Sequence, residues 1–431
     1  MFRGIAGLFL VCAAVKAQGL YGNGWSARST ATGGGFVEGD ATMALAVNPA
    51  GLARLSSGAL DLHVNLLAAQ GSFASPVDPN GTLRKGTGVL PFAAVAVPLG
   101  KSRWTVGAAV LPETMMAGTW RYVDAPGTAG ASWGLRDHKS AILAARGAFG
   151  FGVDLGRGWA IGGTANLVYN ENTLRTPYIF QYHPALRGLK TALDLHTTGY
   201  GWSGTLGVLA RPAKSLDFGL AYKTRTTIAT RGVASGTLDR QFAAAGLAAN
   251  PDYRYDARVD NTLPQTVVAT LNWRANSRLK LMAQMDWINW SRAFRSLPVT
   301  LTNGDNSDIN GLLGTNRIVD GVPLDWRDQY VWRFGMETPV SDSVVFRAGT
   351  FFTQNPVPGS TLTPLTGAIV RSAISTGLGY KRGRWTWDAA YAFNPPTTAR
   401  VGQSSLAAGE YSNSRVRVTM HSLILSGGLR F

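Results

Sequence analysis

The chain has 431 residues and a formal charge of +16, yet only 15% of its residues are charged, and it is rich in glycine (52) and tryptophan (13). A soluble domain usually carries about 25% charged residues, and a helical membrane bundle needs runs of about 18 apolar residues, which never occur after the N-terminal leader. Mean hydropathy is near zero, the value expected of membrane strands whose apolar and polar faces cancel.

Residues 1–17 read as a secretory signal peptide, with Arg3 in a short basic region, an apolar run from Ile5 to Val15, and Val15-Lys16-Ala17 before the cleavage point. The single cysteine, Cys12, falls inside that run. The mature chain then has no thiol, which excludes disulfides and thiolate metal sites, and no cofactor or metal is expected. Loss of Arg3 and Lys16 takes the charge from +16 to +14 (16 − 2). That balance favours anionic surroundings such as outer-membrane lipid and lipopolysaccharide. There is no lysine/arginine run or RNA-binding motif, so nucleic acid is not expected as a partner.

Residues 18–56 are rich in small side chains, including Gly33-Gly34-Gly35, Ala41, Ala44 and Ala46. They suit a hatch packed inside a lumen. Pro49 has no N–H, and a proline disfavours helical geometry at the residue before it, here Asn48. A fixed turn is expected, with Asn48, Pro49, Ala50 and Gly51 as the candidate hatch residues. Taken alone, the same residues also suit an ordinary Asn-Pro loop turn.

From residue 59 onward two-residue alternation continues to the end of the chain. Strands are expected at 59–72, 89–99, 103–118, 139–154, 158–171, 192–210, 215–228, 262–273, 278–290, 329–340, 343–353, 370–381, 384–394 and 415–431. That makes fourteen, the even number a bacterial barrel requires. The connections 100–102, 155–157, 211–214, 274–277, 341–342 and 382–383 are tight. The alternate ones, 73–88, 119–138, 172–191, 229–261, 291–328, 354–369 and 395–414, are long. Short periplasmic turns and long outer loops produce this rhythm; a sandwich or propeller does not. The fold class is therefore all-β: a 14-stranded antiparallel transmembrane β-barrel over 57–431 with an N-terminal hatch inside it, in the outer membrane of a Gram-negative cell.

The strand faces agree. Leu279, Leu281, Ala283, Met285 and Trp287 alternate with Lys280, Gln284 and Asp286; Trp385, Trp387, Ala389, Tyr391 and Phe393 form one face and Asp388 lies on the other. A charge facing lipid at the midplane costs about 2–4 kcal/mol, so Asp286 and Asp388 should face the lumen. Trp104, Trp159, Trp273 and Trp385 flank short turns, as interfacial rings do. The last strand ends on Phe431 with Leu429, Leu425 and Leu423 on one face, resembling the signal read by the barrel assembly machinery.

Four blocks in order resemble the outer-membrane long-chain fatty acid and aromatic hydrocarbon transporter family, which includes the fatty acid transporter and the toluene-uptake protein. They are Ser26-Ala27-Arg28 through Asn48-Pro49-Ala50-Gly51-Leu52-Ala53; Leu263-Pro264 through Asp286-Trp287 and Trp290-Ser291; Arg347-Ala348-Gly349 through Pro356-Val357-Pro358; and Gly377-Leu378-Gly379-Tyr380. The resemblance implies fourteen strands with a hatch and a monomer. It also implies capture of a hydrophobic small molecule among the outer loops, rearrangement of the hatch, and lateral exit where the third strand is kinked. Pro112, in Leu111-Pro112-Glu113, is the candidate for that kink, since proline breaks a ladder hydrogen bond; a proline near the strand's outer end is the alternative.

Candidate ligand-binding residues lie in the long loops. Tyr178 and Phe180 offer aromatic surface beside Arg175, Arg187 and Lys190, whose charges would suit a carboxylate or, equally, lipopolysaccharide phosphates. Phe242 opens a small apolar run, 242–249, expected to form a short helix over the mouth. The five histidines show no catalytic spacing, so an enzyme is not expected. A general diffusion porin for small polar solutes is the principal rival, and would lack a substantial N-terminal plug; long loops alone would also suit an adhesin.

Overall fold

The computed structural model describes residues 22–431; the expected signal peptide and Cys12 lie outside the described residues. Nineteen strands occur in chain order: β1 Ala59–Ala74, β2 Gly81–Lys85, β3 Thr87–Pro98, β4 Trp104–Val123, β5 Leu135–Gly156, β6 Trp159–Ile179, β7 Lys190–Ala213, β8 Leu216–Lys223, β9 Thr226–Thr237, β10 Asp252–Leu263, β11 Thr266–Arg274, β12 Lys280–Ile288, β13 Ser296–Thr302, β14 Ile318–Pro323, β15 Gln329–Pro339, β16 Val344–Thr353, β17 Ser372–Arg382, β18 Trp385–Val401 and β19 Ser414–Arg430. The helices are α1 Ala27–Ala31, α2 Ala41–Ala46, α3 Asp239–Ala245, α4 Trp290–Ala293 and α5 Ser307–Leu313.

Fourteen strands close the ring: β1, β3 to β8, β11, β12 and β15 to β19, with β19 pairing back onto β1 from Ala59↔Arg430 to Ala74↔Arg415. Closure pairs the last strand with the first and leaves no terminal strand edge, which is how a sheet meets the condition a membrane imposes. No helix of the described residues is long and apolar enough to cross a membrane. Trp104, Trp159, Trp273 and Trp385 are each about half exposed at the tight-turn end. Asp286 and Asp388 face inward, each paired with an arginine: Arg333 at 2.9 Å and Arg347 at 2.6 Å.

Two of the expected long loops are sheet instead. The seventh membrane strand stops at Lys223, and β9 and β10 form a hairpin that pairs with the upper part of β7. β13 and β14 form a second hairpin, added to β10. These strands raise one side of the wall well above the bilayer. Their outward face is charged because it meets water rather than lipid. The helix expected at 242–249 forms as α3, three residues earlier, with Phe242 buried.

The wall is interrupted at one place. The β3–β4 ladder runs from Pro98↔Thr105 only to Ala93↔Val110. Beyond it, β3 pairs with β1 alone, and β4 next meets β2 at Thr119–Arg121. Residues 111–118 of β4 thus have no partner on that side. At the start of the gap, the β4–β5 register shifts between Pro112 and Thr114, leaving Glu113 as an extra residue. Its side chain turns inward and pairs with Arg146 at 3.1 Å and with Lys223. A bulge where the ladder ends is what a strand proline favours.

Candidate functional site: a plugged lumen below an apolar cavity

Residues 23–55 lie inside the ring. Hydrogen bonds reach the wall on many sides: Ala27 N to Ser426, Gly33 N to Ser375, Phe36 N to Gln284, and Arg146 to the Ala46 carbonyl. Ser26 caps α1 and Asp40 caps α2, and the Ser26 hydroxyl donates to Asp40 at 2.6 Å, joining the two caps. All six residues of α2 are buried. Asn48 is extended (φ −136°, ψ 100°) and accepts from Ala50 N, starting a 3-10 turn over Pro49–Arg54. Its amide donates to the carbonyls of Val208 at 3.1 Å and Leu220 at 3.4 Å.

Glycines in the wall make this contact close. A β-carbon on Gly207 would overlap the Asn48 amide, on Gly162 the Pro49 backbone, and on Gly152 the Ala53 nitrogen at 2.6 Å. Across the lumen, Gly335 and Gly349 make room for Thr32 and Gly33 in the same way. Ion pairs add to the fit: Glu38 binds Arg211 and Arg274, and Arg28 faces Glu337 at 3.6 Å.

Above this packed layer lies a cavity of about 140 Å³. Aromatic and aliphatic side chains dominate its wall, among them Tyr178, Phe180, Leu195, Val259, Leu301 and Trp326. They come from β6 and the residue that follows it, β7, β10, β13 and the segment before β15. Met116, from the unpaired stretch of β4, lies on the same lining, so the cavity borders the gap in the wall. No lysine, arginine or histidine is among the described lining residues. The carboxyl side chains on the lining are those of Asp320 and Glu410. Asp320 is buried and accepts from the Tyr178 hydroxyl at 2.8 Å, Gln181 N at 3.1 Å and Tyr182 N at 2.6 Å.

The candidate cations go elsewhere. Arg175 points outward and pairs with Asp194 at 2.6 Å; Arg187 is exposed. Lys190 is fully buried behind the lining, between Asp124 at 2.5 Å and Glu410 at 3.3 Å. Burial pushes the Glu410 carboxyl up to about 7, against the pull of Lys190 and with Asp124 adding to the rise. Burial also raises Asp124, against the same ammonium. Of the aromatic candidates, Tyr178 and Phe180 meet edge to face (5.7 Å) on the cavity wall, whereas Phe242 packs in the apolar cluster behind it. Sequence reading missed Asp320, Leu301 and Trp326. The alternation of Tyr253, Tyr255, Ala257 and Val259 was the available signal for the upper sheet.

Residues 8–431 match the family model described as outer membrane protein transport protein (OMPP1/FadL/TodX). No curated protein matches. Among solved structures, a FadL homologue from Pseudomonas aeruginosa is similar over 97% of this chain and 100% of its own, at 18% identity and a TM-score of 0.74. The Pseudomonas putida toluene transporter TodX is similar over 96% and 100%, at 18% and 0.74. The Ralstonia pickettii toluene transporter TbuX is similar over 95% and 99%, at 16% and 0.73.

Proposed function

This chain belongs to the OMPP1/FadL/TodX family of outer membrane transport proteins, and from that premise we propose that its outer cavity receives small uncharged hydrophobic molecules, which leave sideways between β3 and β4. The observation that carries the reading is the cavity lining: apolar, free of cations, and bordered by two carboxylates. Its 140 Å³ is close to the cavity of about 150 Å³ that stays dry and takes benzene in a soluble protein. Each buried CH₂ group favours entry by about 0.8 kcal/mol. A ligand carboxylate would instead lose its hydration, at a cost of several kcal/mol, with Asp320 and Glu410 as neighbours. Arg175, Arg187 and Lys190 have no role as a carboxylate clamp in this reading.

The N-terminal segment acts as the hatch that blocks the direct route to the periplasm, with Asn48, Pro49, Ala50 and Gly51 seated on the wall glycines. Cargo turned aside there meets the unpaired stretch at Pro112, where the wall opens towards hydrocarbon. Lateral release spares an apolar molecule from re-entering water. The protein is a carrier rather than a catalyst. The ring closes on itself, β19 onto β1, so a monomer suffices. The packed lumen disfavours a general diffusion porin.

The test is uptake of radiolabelled toluene and hexanoate by cells that depend on this barrel. Leu301→Trp fills the cavity and should cut toluene uptake roughly tenfold, given that overpacking costs about 1–3 kcal/mol, while heat-modifiable migration shows a folded barrel. Hexanoate uptake should stay at background. Toluene uptake unchanged by Leu301→Trp contradicts the reading.

A further inference from the structure

On one side of the barrel, just above the bilayer, the outer surface carries a group of arginines that form no ion pair among the described residues. Arg400 on β18 stands opposite Arg415 on β19, and Arg417 stands opposite Thr398. Arg415 and Arg417 continue the outward face that bears the exposed Leu423 and Leu425. Arg327 and Arg371 join Arg400 around a groove of about 840 Å³ that no carboxylate lines. All five arginines are exposed, and among the described residues none forms an ion pair or a side-chain hydrogen bond. Three other exposed arginines of the outer strands do have carboxylate partners: Arg121 with Asp137 at 3.1 Å, Arg175 with Asp194 at 2.6 Å, and Arg258 with Asp260 at 2.9 Å.

The height of the cluster follows from the strands. A membrane strand crosses in about ten residues. Counting from the turn-side ends Trp385, Arg430, Pro339 and Arg382 brings the chain to about Pro395, Met420, Gln329 and Ser372. Arg400, Arg417, Arg415, Arg327 and Arg371 begin immediately beyond, in the headgroup layer. Below them the outward face is apolar, with Ile374, Tyr391, Leu423 and Leu425 exposed. Like charges directly opposite one another destabilise an antiparallel pair, so Arg400 and Arg415 together cost stability unless an anion lies between them.

We propose that this face is a binding site for the phosphate groups of an outer-leaflet lipid, held by Arg400, Arg415 and Arg417 and flanked by Arg327 and Arg371. Guanidinium forks match phosphate oxygens in pairs. The apolar strip beneath provides a bed for acyl chains, which a free phosphate would not use. The site is separate from the cavity and does not depend on what the cavity carries.

The experiment counts lipid bound to the detergent-purified barrel by native mass spectrometry. The probes are bisphosphorylated lipid A, the same lipid after phosphatase treatment, and inorganic phosphate. The bisphosphorylated lipid should bind, and the Arg400→Gln/Arg415→Gln/Arg417→Gln variant should bind it at least roughly tenfold more weakly. Arg258→Gln, on β10 at the far side of the ring, should change nothing. The dephosphorylated lipid should bind wild type and triple variant alike. Equal binding of bisphosphorylated lipid A by wild type and triple variant overturns the site. Competition by inorganic phosphate at concentrations comparable to the lipid overturns its assignment to a lipid. Should the triple variant fail to fold, salt decides on wild type alone: raising NaCl from about 0.1 to about 1 M shortens the screening length about threefold and should release the lipid, and retention overturns the proposal.

Discussion

Below Pro112 the lumen is filled by the chain's own N-terminal segment, and above it by apolar side chains that enclose a small cavity. The two regions are built from opposite materials. The lower one relies on glycine-to-backbone contact, helix caps and charged pairs such as Arg333–Asp286 and Glu38–Arg274. The upper one relies on aromatic and aliphatic side chains supplied by the outer ends of β6 and β7, the extra strands and the loops outside the bilayer. Close backbone packing holds a stopper in one position; a side-chain cavity leaves room for a visitor. The ring supports both because alternation lets one strand present glycine at its lower end and large residues at its upper end.

The sharpest way to break this contrast is to unseat the lower half. Gly207→Val places side-chain atoms on the Asn48 amide, at a cost of about 1–3 kcal/mol by overpacking. Planar-bilayer conductance should rise from nearly closed to channel-like. Gly427→Ala, where a β-carbon meets open space, should leave conductance unchanged.

The upper half should respond to pH through one buried carboxyl. Glu410 packs against Lys190, Asp124 and Tyr411, and its folded-state carboxyl sits at about 7, above its ordinary value of 4.5. A raised carboxyl pKa means the folded state holds the proton more tightly than the unfolded one. Its stabilising contribution is complete below about 4.5 and lost as pH rises through about 7. The whole shift amounts to roughly 3 kcal/mol. Hydrogen exchange at β9, β10 and the 402–413 segment should quicken between pH 5 and 8. Glu410→Gln should flatten that dependence.

Removing Lys190 leaves Asp124 and Glu410 buried without their cation, and breaking a buried pair costs about 3–5 kcal/mol when the orphan stays charged. Because Glu410 can take a proton instead, Lys190→Met should cost less at pH 5 than at pH 8, read as the melting temperature of the outer cap. The smallest effect belongs to Arg175→Ala. Its pair with Asp194 is exposed and worth about 0–1 kcal/mol, so toluene uptake and stability should both stay near wild type.

Most of the ring could be read from the sequence because membrane strands obey two rules at once, alternation and the short/long rhythm of their connections. The upper sheet could not. Asp252, Arg254, Asp256, Arg258 and Asp260 face water on β10, and that charged face disguised a strand as a loop. The turn at Asn48-Pro49 was legible from proline stereochemistry. Its seat was not, since Gly152, Gly162 and Gly207 acquire meaning only once neighbouring strands bring them side by side. The cavity was hidden for a related reason: Tyr178 and Asp320, which share a hydrogen bond, stand 142 residues apart. Charge near an aromatic run pointed to Arg175, Arg187 and Lys190, but alternation turns Arg175 outward, and Lys190 is drawn to two buried acids.

Crystals soaked with bromobenzene give the most direct view of the division between the two halves. The account predicts an anomalous bromine peak in the outer cavity, among Tyr178, Phe180, Leu301 and Trp326, with none beneath it against the Asn48 turn. A peak confined to the space around Asn48 and α2, or no peak in a cavity that remains open to the soak, would contradict it.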